Sequence, residues 1–431
     1  MNCRIWKTAL LALLATALAA VAQEASIQFS FSNPGARSLG FGGAFVALAD
    51  DATAAFANPA GLVQLTRPEI SVEGRVWDYS TSFTAGGRLA GEPTGIGIDD
   101  TAGLRFGTSD NTLASLSFLS FVYPKGRWSL ALSRHQLANF EARSATDGLF
   151  VSIFDGPTLR FDDLRVVADL EIVTWAAAGA LRVTERFNLG LGVSYHDAHS
   201  DSTDEIFTYP PGGLFLPNPY RPQDLIASQR GIIDDTAWTI TAGFLWRINR
   251  QWSLGGVYRP GPTILLEQVV LAGPGFFEPE GTILESRAID LKLPDVYGLG
   301  FAFHAPNGAL TVSVEWDHVE YSEILQSLVE GRGGLEGLVQ DDGDEVRVGL
   351  EYAFPRTKPL VATRLGVWRD PDHRFRFEGM NIFDRALLKG GEDEIHLAAG
   401  VGLAFDRFQI DLGADFSDEV NTLSVSAIYT G

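Results

Sequence analysis

The stretch RFNLGLGVSYH, Arg186–His196, alternates large apolar residues with small or polar ones at a period of two. Because successive side chains of a β-strand point to opposite faces of the sheet, this period predicts a strand with one apolar face. The apolar face holds Phe187, Leu189, Leu191, Val193 and Tyr195, and the other face holds Asn188, Gly190, Gly192, Ser194 and His196. A soluble β-sandwich would show the same alternation, so the number and spacing of such stretches decide between the two architectures.

The same alternation recurs along the chain, for example in AWTITAGFLWRI (237–248) and EVRVGLEYAF (345–354). It predicts fourteen strands, near residues 69–82, 112–123, 127–138, 165–183, 186–196, 236–248, 251–260, 288–304, 309–318, 344–354, 359–369, 393–405, 407–417 and 421–429.

The connections between these strands alternate in length. Short turns such as PKGR (124–127) and APNG (305–308) alternate with long links. The long links are 83–111, 139–164, 197–235, 261–287, 319–343 and 370–392; the last link, 418–420, is short where a long one is expected. Short turns on one side, long loops on the other and an even strand number predict an all-β, antiparallel transmembrane β-barrel in the bacterial outer membrane, with both termini in the periplasm.

The first residues have the pattern of an export signal. Arg4 and Lys7 precede the apolar run 8–19, and Ala20-Val21-Ala22 has the small-x-small form of a cleavage site. We therefore expect 1–22 to be a signal peptide that is absent from the mature protein. The single cysteine, Cys3, would be removed with it, which excludes disulfides, zinc thiolates and cysteine nucleophiles.

Composition narrows the remaining functions. With 54 acidic and 33 basic residues the formal net charge is −21, which disfavours nucleic-acid binding because the chain repels phosphate. Beyond the signal no run reaches 18 apolar residues, so no membrane helix is expected. Paired acids in the long links, such as Asp99-Asp100 and Asp341-Asp342, predict solvated loop tips; bridging of lipopolysaccharide phosphates by divalent cations is the alternative.

Residues 23–65 precede the first strand and are apolar and rich in glycine. A barrel of fourteen strands leaves a lumen, and irregular backbone is tolerated there because protein rather than lipid surrounds it. We therefore predict that 23–65 form a hatch inside the lumen of a barrel built from 66–431. Its candidate residues are Gly40, Gly42 and Gly43 for tight turns and close packing, Asp50 and Asp51 for capping a short helix, and Asn58 and Pro59 for ending it. Ala60 follows them directly.

The stretch SNPGARSLGFGGAFVALADDATAAFANPAGL (32–62) resembles the N-terminal hatch of the FadL family, outer-membrane transporters of long-chain fatty acids and other hydrophobic compounds. GGVYRPG (255–261), LKLPDVYGLGF (291–301), VEWDHVEYS (314–322) and RVGLEYAF (347–354) follow in the order that the family has them. The resemblance implies a hatch-filled barrel, with an apolar entry groove between the third and fourth extracellular loops, 197–235 and 261–287.

Within those two loops, apolar side chains are candidates for the ligand entry site. They are Phe207, Leu214, Phe215, Leu216, Leu265, Leu266, Val269, Val270, Phe276 and Phe277. The alternative is that these loops only pack on each other. An exposed apolar patch of this size usually marks a binding surface.

The resemblance also implies passage through a hatch-gated pocket and lateral exit through the wall, where the third strand bends inward. Ser133, Arg134 and His135 are candidates for flanking that gap. Arg259, Arg347 and Arg364 face the lumen by alternation, either as binding groups for a carboxylate head or as charge pairs with Glu315 or Glu351.

We expect no enzyme, no catalytic residues, no metal and no cofactor, because no nucleophile elbow, HExxH or phosphate-loop motif occurs. The expected partners are a hydrophobic small molecule and outer-membrane lipid or lipopolysaccharide, and a monomer is compatible with this prediction. The main alternative is a PorV-like barrel that serves as a docking or shuttle component in protein secretion. A diffusion porin and a soluble periplasmic sandwich are further alternatives.

Overall fold

The computed structural model describes residues 32–152, 156–332, 335–381, 384–385 and 388–431. Within these ranges fourteen antiparallel strands form a closed barrel, because the last strand pairs with the first. The strands are β1 Glu69–Ala90, β2 Leu104–Lys125, β3 Trp128–Ala145, β4 Asp163–Arg182, β5 Phe187–Phe207, β6 Leu225–Arg247, β7a Trp252–Arg259, β7b Thr263–Ala272, β8a Ile283–Lys292, β8b Val296–His304, β9 Leu310–Val319, β10 Gly343–Phe354, β11 Leu360–Asp370, β12 Glu394–Ala404, β13 Phe408–Phe416 and β14 Val420–Thr430. β7 and β8 each have two segments, and the predicted fold class is confirmed.

The strands near the long loops are longer than predicted. β5 continues to Phe207 and β6 begins at Leu225, so the predicted link 197–235 shrinks to 208–224. The extension of β5, DAHSDSTDE (197–205), is polar on both faces and therefore lacks the alternation that marks a strand between lipid and lumen. Two minor strand pairs, Leu149–Val151 with Leu159–Arg160 and Leu338–Val339 with Arg376–Phe377, lie in the loops.

The outer face of the barrel is apolar. Leu191 is 62% exposed, and the outward side chains of the other strands continue this surface around the barrel. Examples are Val72, Phe121, Leu132, Leu181, Ile240, Leu299, Val314, Leu350, Leu365, Leu397, Ile410 and Val425. Such a band is costly in water and favourable in a bilayer, so the barrel spans a membrane.

No helix in the described ranges is both long and apolar enough to cross a membrane.

Residues 32–65 form a compact segment that we call the N-terminal segment. It contains the short helices α1, Ala36–Gly40, and α2, Ala54–Ala57, and a 3-10 turn, Pro59–Gln64. α1 contacts β12–β14 and the 3-10 turn contacts β4–β6, on different sides of the barrel. The segment is almost wholly buried against these strands. The predicted signal 1–22 and the first residues of the predicted hatch, 23–31, lie outside the described residues.

The wall facing this segment is lined with glycines. A Cβ on Gly366 would overlap the backbone of Gly42, and a Cβ on Gly349 would overlap Phe41. Further inward glycines that meet the segment are Gly190, Gly243, Gly255, Gly300, Gly400 and Gly413. Glycine at these positions lets the strand backbone touch the backbone of the segment, since no side chain separates them.

Buried polar groups of the wall satisfy the irregular backbone of the segment. Glu315 accepts hydrogen bonds from Val46 N at 2.6 Å and from Asn33 Nδ2 at 3.0 Å. Glu73 accepts from Gly35 N at 2.9 Å. Inside a membrane barrel these donors would otherwise lack partners, so the carboxylates fix the position of the segment.

The glycine lining predicts how the segment responds to a single methyl group. Gly366→Ala should displace the segment and raise single-channel conductance in planar bilayers several-fold, because the new Cβ has backbone rather than a flexible side chain in front of it. Gly192→Ala is the matched control, since its Cβ would meet its nearest neighbour at 3.7 Å. Equal conductance of the two variants would contradict this packing.

Candidate ligand cavity and openings in the barrel wall

A cavity lies between α2 of the N-terminal segment and the inner faces of β3–β8. Its empty space amounts to about 680 Å³, a figure that includes space open to solvent. Its lining comprises Ala55, Phe56, Ser133, His135, Leu137, Thr174, Ala176, Gly192, Ser194, His196, Thr239, Thr241, Arg259, Pro260, Gly261, Pro262, Pro294 and Val296. We call it the α2 cavity.

The α2 cavity combines aromatic and hydroxyl groups. The His135 ring lies 4.2 Å from the Phe56 ring, centroid to centroid. The His196 ring nitrogens bond to Thr174 Oγ1 at 2.9 Å and to Thr239 Oγ1 at 2.8 Å. This lining suits a molecule that has both an apolar body and a polar group.

One cation reaches this cavity. Arg259 is 92% buried, its guanidinium lies 5.0 Å from the Phe56 ring centroid, and Nη1 donates to Ala57 O at 3.1 Å. Within the described part of the chain its Nε has no hydrogen-bond partner. Arg259 therefore retains a donor for a ligand oxygen.

An apolar cluster adjoins the cavity through Leu137 and Val296. It includes Ile172 of β4 and the helix α3, Ser322–Arg332, which follows β9. Ile324 and Leu325 of that helix are buried in the cluster. The cluster therefore fills the lumen beyond the cavity with side chains.

The ladder between β2 and β3 ends inside the wall. Phe118–His135 is its last pair, and beyond this pair the described residues of β3 are paired with β4 only. Side chains bridge the opened seam: Arg134 Nη1 donates to Leu116 O, and Ser115 Oγ donates to Gln136 Oε1. Farther along, Ser109 Oγ accepts from Arg143 N at 3.1 Å. Between the turn 126–127 and Phe118–His135, backbone pairs thus close the β2–β3 seam. Beyond Phe118–His135, only side chains hold it.

A tyrosine from β1 holds the departing part of β3. The Tyr79 hydroxyl donates to Glu141 O at 2.6 Å and accepts from Glu141 N at 2.7 Å, so it satisfies both backbone groups of a residue that has left the ladder with β2. The Tyr79 ring also stacks on Phe140. These contacts hold this part of β3 beside β1 after it has left β2.

The three residues predicted to flank a gap lie at the end of this ladder. Ser133 and His135 point into the α2 cavity, whereas Arg134 points to the lipid side. The structure therefore brings the three residues to the site where β3 leaves β2. Their part in transport stays a prediction.

The other two predicted lumen arginines are in ion pairs with wall carboxylates. Arg364 contacts Glu351 at 2.6 Å and Asp411 at 2.7 Å, and Arg347 pairs with Glu345. Arg347 lines a second, more polar cavity together with Trp368 and His396. This cavity lies between the N-terminal segment, β10–β14, β1 and β3. The charge-pair alternative thus describes Arg347 and Arg364, and Arg259 alone of the three reaches the α2 cavity.

The predicted hatch residues shape the N-terminal segment. Gly42 and Gly43 have φ of 71° and 78°, which favours glycine. Asp51 accepts from Thr53 N at 2.9 Å just before α2, while Asp50 pairs with Arg37. Asn58, which follows α2, accepts from Ala60 N at 3.1 Å beside Pro59, whereas Gly40 ends α1.

Five of the predicted entry residues are not in loops, which corrects the sequence assignment. Phe207 ends β5, and Leu265, Leu266, Val269 and Val270 lie on β7b, because the strands extend beyond the membrane band.

The remaining entry candidates lie in two loops. Arg160 binds the carbonyls of Leu214 and Leu216 in 208–224, where Phe215 stacks on Phe150. Phe276 packs against the cluster of Ile206 and Val270. Leu216 and Phe277 are the most exposed of the ten, at 60% and 85%.

Sequence reasoning missed Tyr79, the glycine lining and the breaks in β7 and β8. The breaks had a signal: Pro260 and Pro262 in β7, and Pro294 in β8, interrupt otherwise regular strands. The sequence shows the glycines as small residues on the inner face, but only the strand registers show which of them are neighbours on adjacent strands. Tyr79 carried no local signal.

Comparisons with known proteins agree with this architecture. A solved structure described as a Pseudomonas aeruginosa FadL homologue matches with a TM-score of 0.65 at 14% identity, over 93% of this chain and 99% of that chain. The Pseudomonas putida toluene transporter TodX matches at 0.56 and 12%, over 93% and 99%. The Ralstonia pickettii toluene transporter TbuX matches at 0.51 and 16%, over 93% and 97%.

No protein-family model and no curated protein sequence matches the chain. The structural likenesses therefore show the fold, which is that of the FadL-type barrels. Together with the apolar outer face, this fold assigns the barrel to the bacterial outer membrane.

The contact between β1 and β3 can be tested by removing one oxygen atom. Tyr79→Phe should speed hydrogen exchange at the Glu141 amide and lower stability by about 1 kcal/mol, since two hydrogen bonds are lost and the ring stays. Tyr123→Phe, on the exposed outer face of β2, is the control. Unchanged exchange at Glu141 would show that Tyr79 does not hold β3.

Proposed function

We propose that this protein transports hydrophobic small molecules across the outer membrane, with the α2 cavity as the internal binding site and the β2–β3 seam as a lateral exit. The observation that carries this proposal is the position of the cavity, which abuts the last paired residues of β2 and β3. The solved proteins of similar fold include toluene transporters, which supports a hydrophobic cargo.

Lateral exit is favoured on energetic grounds. A cargo released into water loses about 0.8 kcal/mol for each methylene that it had buried, whereas release into the bilayer keeps that burial. Outside the seam, the wall presents Leu119, Phe121 and Leu132 around Arg134. The cargo therefore meets an apolar surface immediately beyond the wall.

Capture at the outside involves the exposed apolar tips of the two extracellular loops, Leu216 and Phe277. From there the cargo passes the loop clusters and reaches the α2 cavity. Phe56 of α2 lies between Arg259 and His135, so a small displacement of α2 changes the access from the cavity to β3. We assign hatch gating to this part of the N-terminal segment.

The free donor of Arg259 points to an amphipathic cargo with an acidic head, such as a long-chain fatty acid. A carboxylate in the α2 cavity would accept from Arg259 Nε, while Phe56 and Leu137 contact the chain.

The test compares two cargoes in cells that lack other channels of this fold. Production of the protein should raise uptake of labelled toluene and of a labelled long-chain fatty acid. Arg259→Met should lower fatty-acid uptake at least fivefold and leave toluene uptake nearly unchanged, because only the acid needs the cation. Arg259→Lys is the control, since it keeps the charge.

Two results would contradict the proposal. If both cargoes enter no faster than in cells without the protein, the proposed transport function is wrong. Co-purification of a large protein partner would then favour a docking role in protein secretion. If Arg259→Met lowers the uptake of both cargoes equally, the proposal that the cargo has an acidic head group is wrong.

A further inference from the structure

The wall has a second interrupted seam, between β6 and β7. On the periplasmic side the ladder runs from Arg247–Ser253 to Ala242–Tyr258, and on the extracellular side it runs from Ile233–Leu266 to Ala227–Ala272. Between these two ladders, the described residues 234–241 of β6 form no pair with 259–265 of β7. The two strands nevertheless resume almost the same register, so the interruption is local.

The sequence of β7 accounts for the interruption. Pro260 and Pro262 have no N–H to donate to β6, and they separate β7a from β7b. β8 is broken at the same level, where Gly261 approaches Leu293 so closely that a Cβ would overlap its carbonyl. The two strands therefore bend together.

Side chains satisfy the groups that the break leaves free. Asp295 accepts from Gly261 N at 2.9 Å and from the Tyr258 hydroxyl at 2.5 Å, and it pairs with Lys292. Farther along the seam, Asp235 Oδ2 accepts from Leu265 N at 2.8 Å. Because these groups have partners, the break is a stable feature of the wall.

The interrupted seam lies between the α2 cavity and the lipid side of the wall. Thr239 and Thr241 on one edge, and 259–262 on the other, all line the cavity. On the outer face of the same part of β6, Trp238 and Ile240 are 69% and 62% exposed. The α2 cavity and the apolar outer surface are therefore separated by a seam without a backbone ladder.

We propose that the β6–β7 seam is a second lateral portal, through which hydrophobic molecules dissolved in the membrane exchange with the α2 cavity independently of the β2–β3 seam. This inference rests on the proposed function, since it takes the α2 cavity as the ligand site. It gives the cavity two membrane openings on different sides, so cargo can enter from the bilayer as well as leave to it. Asp295 N donates to Glu323 of α3 at 3.1 Å, which links the break to an extracellular helix.

Engineered disulfides, which oxidation forms and reduction breaks, test the portal directly. No native cysteine competes with them, because the sequence beyond Cys3 has no cysteine. The pair Asp235→Cys and Leu265→Cys joins the edges of the interrupted seam. The pair Trp246→Cys and Leu254→Cys is the control, since it joins residues that are already paired. Oxidation of the first pair should lower toluene uptake at least twofold, with recovery on reduction, and oxidation of the control pair should not.

A third pair, Ser115→Cys and Gln136→Cys, staples the β2–β3 seam and separates the two proposals. If it stops uptake completely while the β6–β7 staple has no effect, the second portal is wrong and lateral exit stands. If the unstapled protein gives no uptake, the proposed function itself fails.

Hydrogen exchange examines the seam without any variant. Amides of 236–241 that point toward β7 should exchange at least a hundredfold faster than the amides of 242–247 that point the same way. Equal protection of the two groups would mean that a ladder closes the seam, and it would overturn the portal whatever the staples show.

Discussion

Backbone-to-backbone contact between the N-terminal segment and the inward glycines is the constraint on which the rest of the structure depends. Gly349 and Gly366 on one side bring the wall backbone directly against Phe41 and Gly42, and Gly190 and Gly255 on the other bring it against Ala60 and Val46. A lumen of fourteen strands would otherwise be open to water. Because the segment is fixed at this level, the space beside it becomes a bounded cavity.

At both interruptions in the wall, side chains form hydrogen bonds with backbone groups that the ladder leaves unpaired. In a bilayer every backbone N–H and C=O needs a partner inside the protein. Where β3 leaves β2, Tyr79 supplies partners to Glu141, and where β7 bends, Asp295 supplies one to Gly261. Side chains thus replace ladder hydrogen bonds at two places. Gly261 lines the α2 cavity, whereas Tyr79 lines the second, more polar cavity.

Sequence periodicity predicted the barrel because one requirement, an apolar face toward lipid, acts on every strand within the membrane. Beyond the membrane that requirement ends, and the strands continued unrecognised to Phe207 and from Leu225. The direction of Arg347 and Arg364 followed from alternation alone. Their carboxylate partners came from other strands, so only the registers could assign them.

The candidate site was less predictable, since it is built from contacts between distant parts of the chain. Arg259 was singled out only as one of three inward arginines; its contact with Phe56 depends on how α2 sits in the lumen. The sequence shows Pro260 and Pro262, yet whether they interrupt the ladder depends on how the neighbouring strands β6 and β8 run beside them. The sequence pattern therefore identified these residues but not which of them contact each other in the fold.

The central claim is that residues 32–65 fill the lumen. The most direct measurement is the single-channel conductance of a protein lacking 24–60, compared with the complete chain in planar bilayers. We predict a large, steady conductance for the shortened protein and a small one for the complete chain. Equal conductance of the two proteins would contradict the account.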